Sequence, residues 1–436
     1  MRIKSLFSGR FFGAGYTVSF LFLLFFISLG FGRFYIDIGF ALKPYMIIAL
    51  VMLAYLIYGM FKGKISIVKP FVYEVAFLTF LCAIGLSYVY SQYPDQTFRL
   101  AANAAVIMSV YLTIRLLYSN FLNIESLSKV ILKAGFVVAV SSLVYYMAGL
   151  FSLGFNFSGN GVESYGVLLD RNVPRLEGVA SGDPNFSALI FSLFLAFAML
   201  GRSGIITKVM LSIVIILTFS RGAFLALLAT TLIFAVIPFR RSFNLKVIKG
   251  VLVYLAILVI GISLVHNFTS IDVIGTVTGR FDEAADDNGS GRLDKWQDAG
   301  QTFMQYPLFG IGANSSVSYN QDNYGLANYV HNTYIEVGSE LGIVGFMVYA
   351  LSILLALRSA YLCMRRGSSI PWTILILVLM QMLFLSMMTS EVYMIVLFII
   401  FAYSVELGEG RMVHKGSIDK KRSNTARGEV VDESSQ

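Results

Sequence analysis

Residues 329–350 read YVHNTYIEVGSELGIVGFMVYA. From Leu341 onward the stretch has the composition of a membrane helix, yet its mouth carries His331, Asn332, Glu336 and Glu340. Ionisable groups are expensive in lipid and gather where they have partners or water. The reading therefore turns on which side of the membrane this mouth faces, and on what else faces it.

The whole chain is 57% hydrophobic and 13% charged, with a mean hydropathy of +0.74. A soluble domain needs more polar surface, so the composition describes a polytopic membrane protein. Its apolar runs are long enough for helices, which satisfy their own backbone in lipid. We expect an all-α fold of about twelve transmembrane helices, near residues 14–32, 41–61, 71–90, 98–118, 130–152, 185–200, 205–219, 222–238, 249–266, 332–361, 371–388 and 391–407. Together they make one transmembrane domain over 1–407, interrupted by a loop at 153–184 and a larger one at 267–331. The Ser/Glu-rich tail, 408–436, reads as disordered and cytoplasmic. The first apolar run is long and aromatic with no small-residue cleavage site, so no cleavable signal is expected. Cys82 and Cys363 lie far apart, in no disulfide or metal pattern.

Orientation follows from the Lys/Arg bias of the loops. With the N-terminus inside, only Arg33, Lys43, Arg99, Arg171, Arg175, Arg221, Arg280, Arg292 and Lys295 of the 33 basic residues fall on the opposite side. Both ends then read as cytoplasmic. The net charge of +8 becomes a topology signal that requires no nucleic acid. Both long loops, the turn TFSRG (218–222) and the His331 mouth land on the outer side.

On a helix starting near Asn332, residues His331, Ile335, Gly338, Gly342 and Gly345 lie within about 40° of one line. Such a glycine strip would let another helix backbone pack closely and hold the imidazole rigidly at the boundary. Equally, Asn332 or Thr333 could simply cap the helix and leave His331 interfacial. Glu340 lies deeper and reads as a structural hydrogen-bond anchor; Glu336, in the first turns, suits a helix N-terminus. Arg221 is wedged between apolar runs with almost no loop, which favours an anion-facing role over snorkelling to headgroups. In GSGRLDKWQDAGQTFMQYPLFGIG, Ser290 can cap an amphipathic helix with Leu293, Trp296, Gly300 and Phe303 on one side, set in the lipid boundary, and Tyr306-Pro307 ending it. Arg292 in its first turn would combine a guanidinium with free N–H groups, as a phosphate clamp or only as a solvated base near Asp294. In RLEGVASGDPNFSALI (175–190), Asp183 and Pro184 mark a helix start, and Arg175 could add to a cationic pocket. One imidazole and two or three arginines at an outer surface fit a lipid diphosphate leaving group, whose charge grows as the bond to a sugar breaks. No HExxH, paired-Cys or Asp-x-Asp pattern stands out, so neither metal nor cofactor is expected.

The order R-x-x-G-x-x-x-x-D-P-N (175–185), S-R-G (220–222), G-R-x-x-x-W (291–296), YPLFGIG (306–312) and HNTYIEVGSELGIVG (331–345) resembles the bacterial O-antigen ligase/polymerase superfamily. The resemblance covers roughly residues 170–350. It implies a metal-independent glycosyltransferase of the GT-C-like membrane type in the bacterial inner membrane, its transmembrane domain catalytic and its loops at 153–184 and 267–331 periplasmic; attack from the face opposite the diphosphate would make it inverting. It implies His331, Arg221 and Arg292 as catalytic residues, and Arg175, Arg221, Arg292 and Asn332 as substrate-binding. Asp183, Pro184, Glu340, Gly338 and Gly342 would be structural. The implied partners are undecaprenyl-diphosphate-linked glycan, a glycan or lipid acceptor, membrane lipids and a chain-length regulator. Polymerase is the reading taken, with an O-antigen ligase acting on lipid A–core as the alternative. The short tail argues against protein O-oligosaccharyltransferases, which commonly carry a larger C-terminal region. A flippase would need ionisable groups near mid-membrane, where this chain is nearly uncharged.

Overall fold

A computed structural model describes residues 12–37, 41–201, 203–236 and 291–408. The order is α1 (Phe12–Leu29), the strand pair β1 and β2 (Ile36–Asp37, Ala41–Leu42), α2 (Pro44–Phe61), α3 (Val72–Leu86), α4 (Pro94–Phe121) and α5 (Ile124–Ser152). Next come three antiparallel strands β3 to β5 (Val162–Ser164, Val167–Asp170, Val173–Leu176), then α6 (Pro184–Leu200), α7 (Ile205–Leu217) and α8 (Arg221–Val236). After residue 290 follow α9 (Arg292–Gln305), α10 (Ser316–Tyr324), α11 (Thr333–Arg365), α12 (Ile370–Gln381) and α13 (Glu391–Glu406).

The protein is mostly helical, as its composition dictates. Among the described residues, five helices are long and apolar enough to cross a membrane: α2, α3 with its 3₁₀ extension to Val89, α4, α5 and α11. Pro44, Pro94, Pro184 and Pro371 stand in the first turns of their helices, where the missing N–H costs nothing. Helix α13 is the axis of the bundle: its residues Val392 to Ser404 are buried on every side, the mark of an apolar helix surrounded by others. At one end, Arg115 and Glu74 form a buried pair (Nε to Oε1, 2.6 Å), to which the Tyr111 hydroxyl also donates, and the guanidinium lies 4.5 Å from the Phe401 ring centroid. This ties α3, α4 and α13 together.

Several expectations need correction. The expected helix 249–266, most of the large loop including Ser290, and the tail beyond Gly408 lie outside the described residues. The 153–184 loop is no bare connection but carries β3 to β5, with a tight turn at Arg171 and Asn172, both left-handed; the fold is thus not purely α. The expected helix 371–388 stops at Gln381, and residues 382–390 are irregular. The helix begun at Thr333 is not continuous either. It breaks at Gly342 (φ 63°, ψ −169°) before running on to Arg365.

That break has a local cause. Residues 307–312 leave a turn and run alongside it, and the two backbones exchange hydrogen bonds. Ile311 N and Gly312 N donate to the carbonyls of Ser339 and Glu340 (3.3 and 2.9 Å), while Ile343 N and Val344 N donate to Pro307 and Leu308 (2.8 and 3.2 Å). Groups freed by the break are thus satisfied by protein, as a membrane setting demands. A Cβ on Gly342 would sit 2.4 Å from the carbonyl carbon of Leu308. Of the glycine strip, Gly342 admits this returning segment, while Gly338 lies nearest Phe303 of α9. The Glu340 carboxylate completes the joint, accepting from the N–H groups of Asn314 (2.5 Å) and Ser316 (3.0 Å) at the start of α10.

Gly342→Ala should lower the thermal unfolding midpoint of the detergent-solubilised protein clearly, since the left-handed backbone alone costs about 1–3 kcal/mol and the contact adds to it. Gly338→Ala, whose Cβ would meet nothing closer than 3.9 Å, should be nearly neutral. Equal behaviour of the two in a fluorescence melting assay would contradict this account of the joint.

Candidate active site

The turn before α11 is held from several directions. Asn332 caps the helix, its side-chain carbonyl accepting from the N–H groups of Tyr334 (3.0 Å) and Ile335 (3.2 Å). That leaves His331 outside the helix with a left-handed backbone (φ 54°), so its ring departs from the helix face on which simple periodicity put it. Its backbone N–H donates to Ser386 Oγ (3.0 Å). Thr333 N–H donates to the Met382 carbonyl (2.9 Å) and its hydroxyl to that of Leu385 (2.6 Å). From the other side, Trp296 of α9 donates its indole N–H to the Val330 carbonyl (3.1 Å).

Helix α9 itself starts at Arg292 with Gly291 (φ 66°) as its cap residue and no side-chain cap bond. Its first-turn N–H groups are left for another acceptor. Its buried residues are Ala299 and Thr302, Trp296 binds Val330, and Phe303 comes nearest to Gly338. The aromatic side thus faces α11 and the His331 turn, not the lipid boundary. This difference matters, because it places Arg292 and Lys295, one turn apart, beside the imidazole.

The turn between α7 and α8 brings the third basic group. Phe219 is left-handed (φ 48°), which lets Ser220 donate to Asn185 Oδ1 (2.8 Å) just after the α6 start. Asp183 caps α6 through Asn185 N–H (2.6 Å), with Pro184 following. Arg175 is buried and fully engaged: it donates to the Thr218 carbonyl (3.0 Å), Asp170 (2.9 Å) and Asn185 (3.2 Å). It is a strut between the strands and the turn. Arg221 opens α8, half-buried. A Cβ on Gly222 would lie 3.0 Å from Phe384 Cβ, so the absent side chain lets α8 approach residues 382–385. The Arg292 guanidinium lies 5.7 Å from the Phe384 ring centroid, and Arg292, Phe384, Ser220 and Gly222 line one narrow pocket.

These groups feel each other. Burial holds the Arg292 guanidinium below its ordinary pKa, Arg221 adds to the effect, and Asp183 opposes it. Lys295 is lowered by burial and then by Arg292. Burial pushes the His331 imidazole down to about 4, with Lys295 and Arg292 adding and Asp183 opposing. Half-desolvated cations that depress one another favour an anion beside them. The imidazole among them is neutral at pH 7 and so able to take a proton.

Of the residues singled out from sequence, His331, Arg221, Arg292, Arg175 and Asp183 are brought into one electrostatic neighbourhood. Asn332, Pro184, Glu340 and Gly342 serve the backbone around it, while Gly338 meets only Phe303. Sequence reasoning missed Lys295, although its spacing from Arg292 puts both on one helix face. It also missed residues 382–387, whose Phe384 and Ser386 touch both the arginine side and the histidine side; only Gln381 and Ser386 hinted at polarity in that apolar run. Among the described residues, no group of three or more His, Cys, Asp or Glu is placed to hold a metal.

Residues 206–350 match the family model described as O-antigen ligase. The matched stretch runs from α7 into α11, contains Arg221, Arg292 and His331, and supports membership of the O-antigen ligase/polymerase superfamily. None of the curated proteins matches the chain.

Replacing Lys295 by Met should raise the His331 pKa from about 4 toward, but not up to, its ordinary value, because burial remains. The imidazole carbon resonance followed against pH by NMR reads this directly; an unmoved titration would show that Lys295 does not act on the ring.

Proposed function

We propose that the protein is a surface-polysaccharide polymerase of the inner membrane, working at its periplasmic face. It transfers glycan from undecaprenyl diphosphate to a sugar hydroxyl of another lipid-linked unit. The observation that carries this reading is the placing of Arg292 and Lys295 beside a neutral His331, with Arg221 acting on Arg292, within the stretch that matches the O-antigen ligase family.

Each group has a task that its chemistry suits. Arg221 and Arg292 hold the donor diphosphate, where planar guanidiniums can grip two oxygens at once, and the uncapped N–H groups of α9 donate to a phosphate oxygen. The acceptor hydroxyl attacks the anomeric carbon while the carbon–oxygen bond to the diphosphate breaks. Its proton passes to the imidazole of His331, and the new negative charge stays on the diphosphate among the cations. Attack from the face opposite the leaving group inverts the anomeric centre. Two guanidiniums and an ammonium supply the positive charge that a divalent cation would otherwise bring, so the proposed reaction is metal-independent. Arg175 acts by holding the 218–222 turn in place.

His331→Ala should abolish transfer by purified protein given a lipid-linked repeat unit, with the melting temperature kept. Arg221→Lys should lose at least about tenfold in rate, since a point charge does not reproduce the fork; wild-type turnover in that variant would remove Arg221 from the site. Lipid A–core offered alongside decides the branch: transfer to it instead of to a second repeat unit would make the enzyme a ligase.

The pH dependence carries a sign. In the free enzyme the imidazole stays neutral down to about 4, so kcat/KM should hold through pH 6.5 and fall only well below it. The same residue lends stability that is lost as pH falls from its ordinary range through about 4, because the unfolded chain binds the proton first. An acid limb centred near pH 6.5 would show that the base is not an imidazole held down near 4.

A further inference from the structure

A cavity of about 680 Å³ opens on the far side of the His331 turn, within the roughly 300–1,000 Å³ of ordinary ligand sites. Its walls come from the segment between α1 and α2, from β3 and α4, from the starts of α6, α11 and α13, and from the irregular residues 386–390. None of the groups assigned above to the diphosphate lines it. We propose that this chamber binds the sugar rings of the acceptor glycan, and that Glu336 is the group that grips them. The proposal rests on the transfer reaction above and adds a binding site to it.

Three observations carry it. First, both cations on its wall are already paired. Lys43 Nζ lies 2.5 Å from Glu391 Oε1, and Arg33 is bonded to buried Glu177 and lies 3.4 Å from Glu163. Burial pushes the Glu177 carboxyl up to about 7 against the pull of Arg33, and Glu163 provides a second carboxylate for the guanidinium. Among the described residues no positive charge is left over for a phosphate or a sugar carboxylate, which separates this chamber from the cation cluster around Arg292. Second, Glu336 lines the cavity; Ser386 bonds its carboxyl, but its Oε2 is buried and has no hydrogen-bond partner among the described residues. Glu340, by contrast, is satisfied by two backbone N–H groups. An unmet buried oxygen is costly unless a ligand supplies the donor, and a sugar hydroxyl is such a donor. Third, the exposed aromatic rings of Tyr35 and Tyr329 stand on the wall, offering faces to the apolar side of a pyranose.

Position decides which glycan enters. Ser386 lines the chamber beside the Glu336 carboxyl and accepts the His331 backbone N–H; the Tyr329 ring lies 6.2 Å from the imidazole. Phe384, two residues away, faces Arg292 and Gly222 instead. An attacking hydroxyl must arrive opposite the departing diphosphate, so the chamber on the histidine side takes the acceptor. The same wall favours neutral, hydroxyl-rich rings over uronates.

The test uses full-length protein in nanodiscs and, as probe, the lipid-free and phosphate-free glycan released by mild acid from the cell's lipid-linked intermediates. Saturation-transfer NMR should show binding that weakens about tenfold in Glu336→Ala, the worth of one buried hydrogen bond, and less in Glu336→Gln. Oxidising the primary hydroxyls of the probe to carboxylates should also weaken it, whereas Arg221→Ala should not. In steady-state transfer, Glu336→Gln should raise KM for the acceptor and spare KM for the donor. Unchanged probe binding in a Glu336 variant of normal melting temperature, equal binding of the oxidised probe, or a rise confined to donor KM would each overturn the assignment. If wild type binds the probe through Glu336 yet transfers nothing, the reaction proposed above fails and the chamber stands.

Discussion

The site depends on a helix that is broken and then mended. Gly342 interrupts α11, and four backbone hydrogen bonds from residues 307–312 and to them close the gap. In lipid an interrupted helix with unmet N–H and carbonyl groups would be untenable, so the returning segment is part of the helix's own stability. This fixes the end of α9 against the first turns of α11, and the Trp296 bond to Val330 fixes its beginning. Arg292 and Lys295 are thereby carried to the imidazole by backbone geometry, with no direct bond between them required. Glu340 extends the same joint to α10.

Electrostatics then sorts the basic residues into two kinds. Arg175 is buried and has its donors taken by Thr218, Asp170 and Asn185, so it acts as structure. Arg292 and Lys295 are half-buried and held below their ordinary pKa by burial and by neighbouring cations. Charges kept close in this way store repulsion that an anion would relieve. The imidazole stays neutral for the same reason, and Asp183 moderates the field while capping α6. A second set of basic residues, Arg33 and Lys43, is neutralised by partners, so one end of the bundle holds an electropositive patch and a charge-balanced chamber side by side.

Residues 382–390 separate the two. Phe384 serves the arginine side, Ser386 the histidine and the chamber, and Thr389 accepts from Asn103 of α4 (3.1 Å). Their hydropathy is that of a membrane helix, which is why periodicity carries a helix straight through them. The irregular backbone is tolerated because it is enclosed by protein and borders a polar cavity.

Much of the site's composition was legible in the chain. The spacing of Asp183-Pro184, the isolated Arg221, the first-turn Arg292 and the His331-Asn332 start all carry local chemistry that needs no coordinates. The helical class likewise follows from apolar runs whose backbone must bond within itself. What only the tertiary structure decided is direction and partnership. It turned the aromatic side of α9 toward protein, broke α11 at Gly342, ended α12 early, and made a strut of Arg175 and an unpartnered oxygen of Glu336. Local propensity and hydropathy describe a residue's own neighbours along the chain, whereas a break, a clamp or an orphaned carboxyl is defined by atoms tens of residues away.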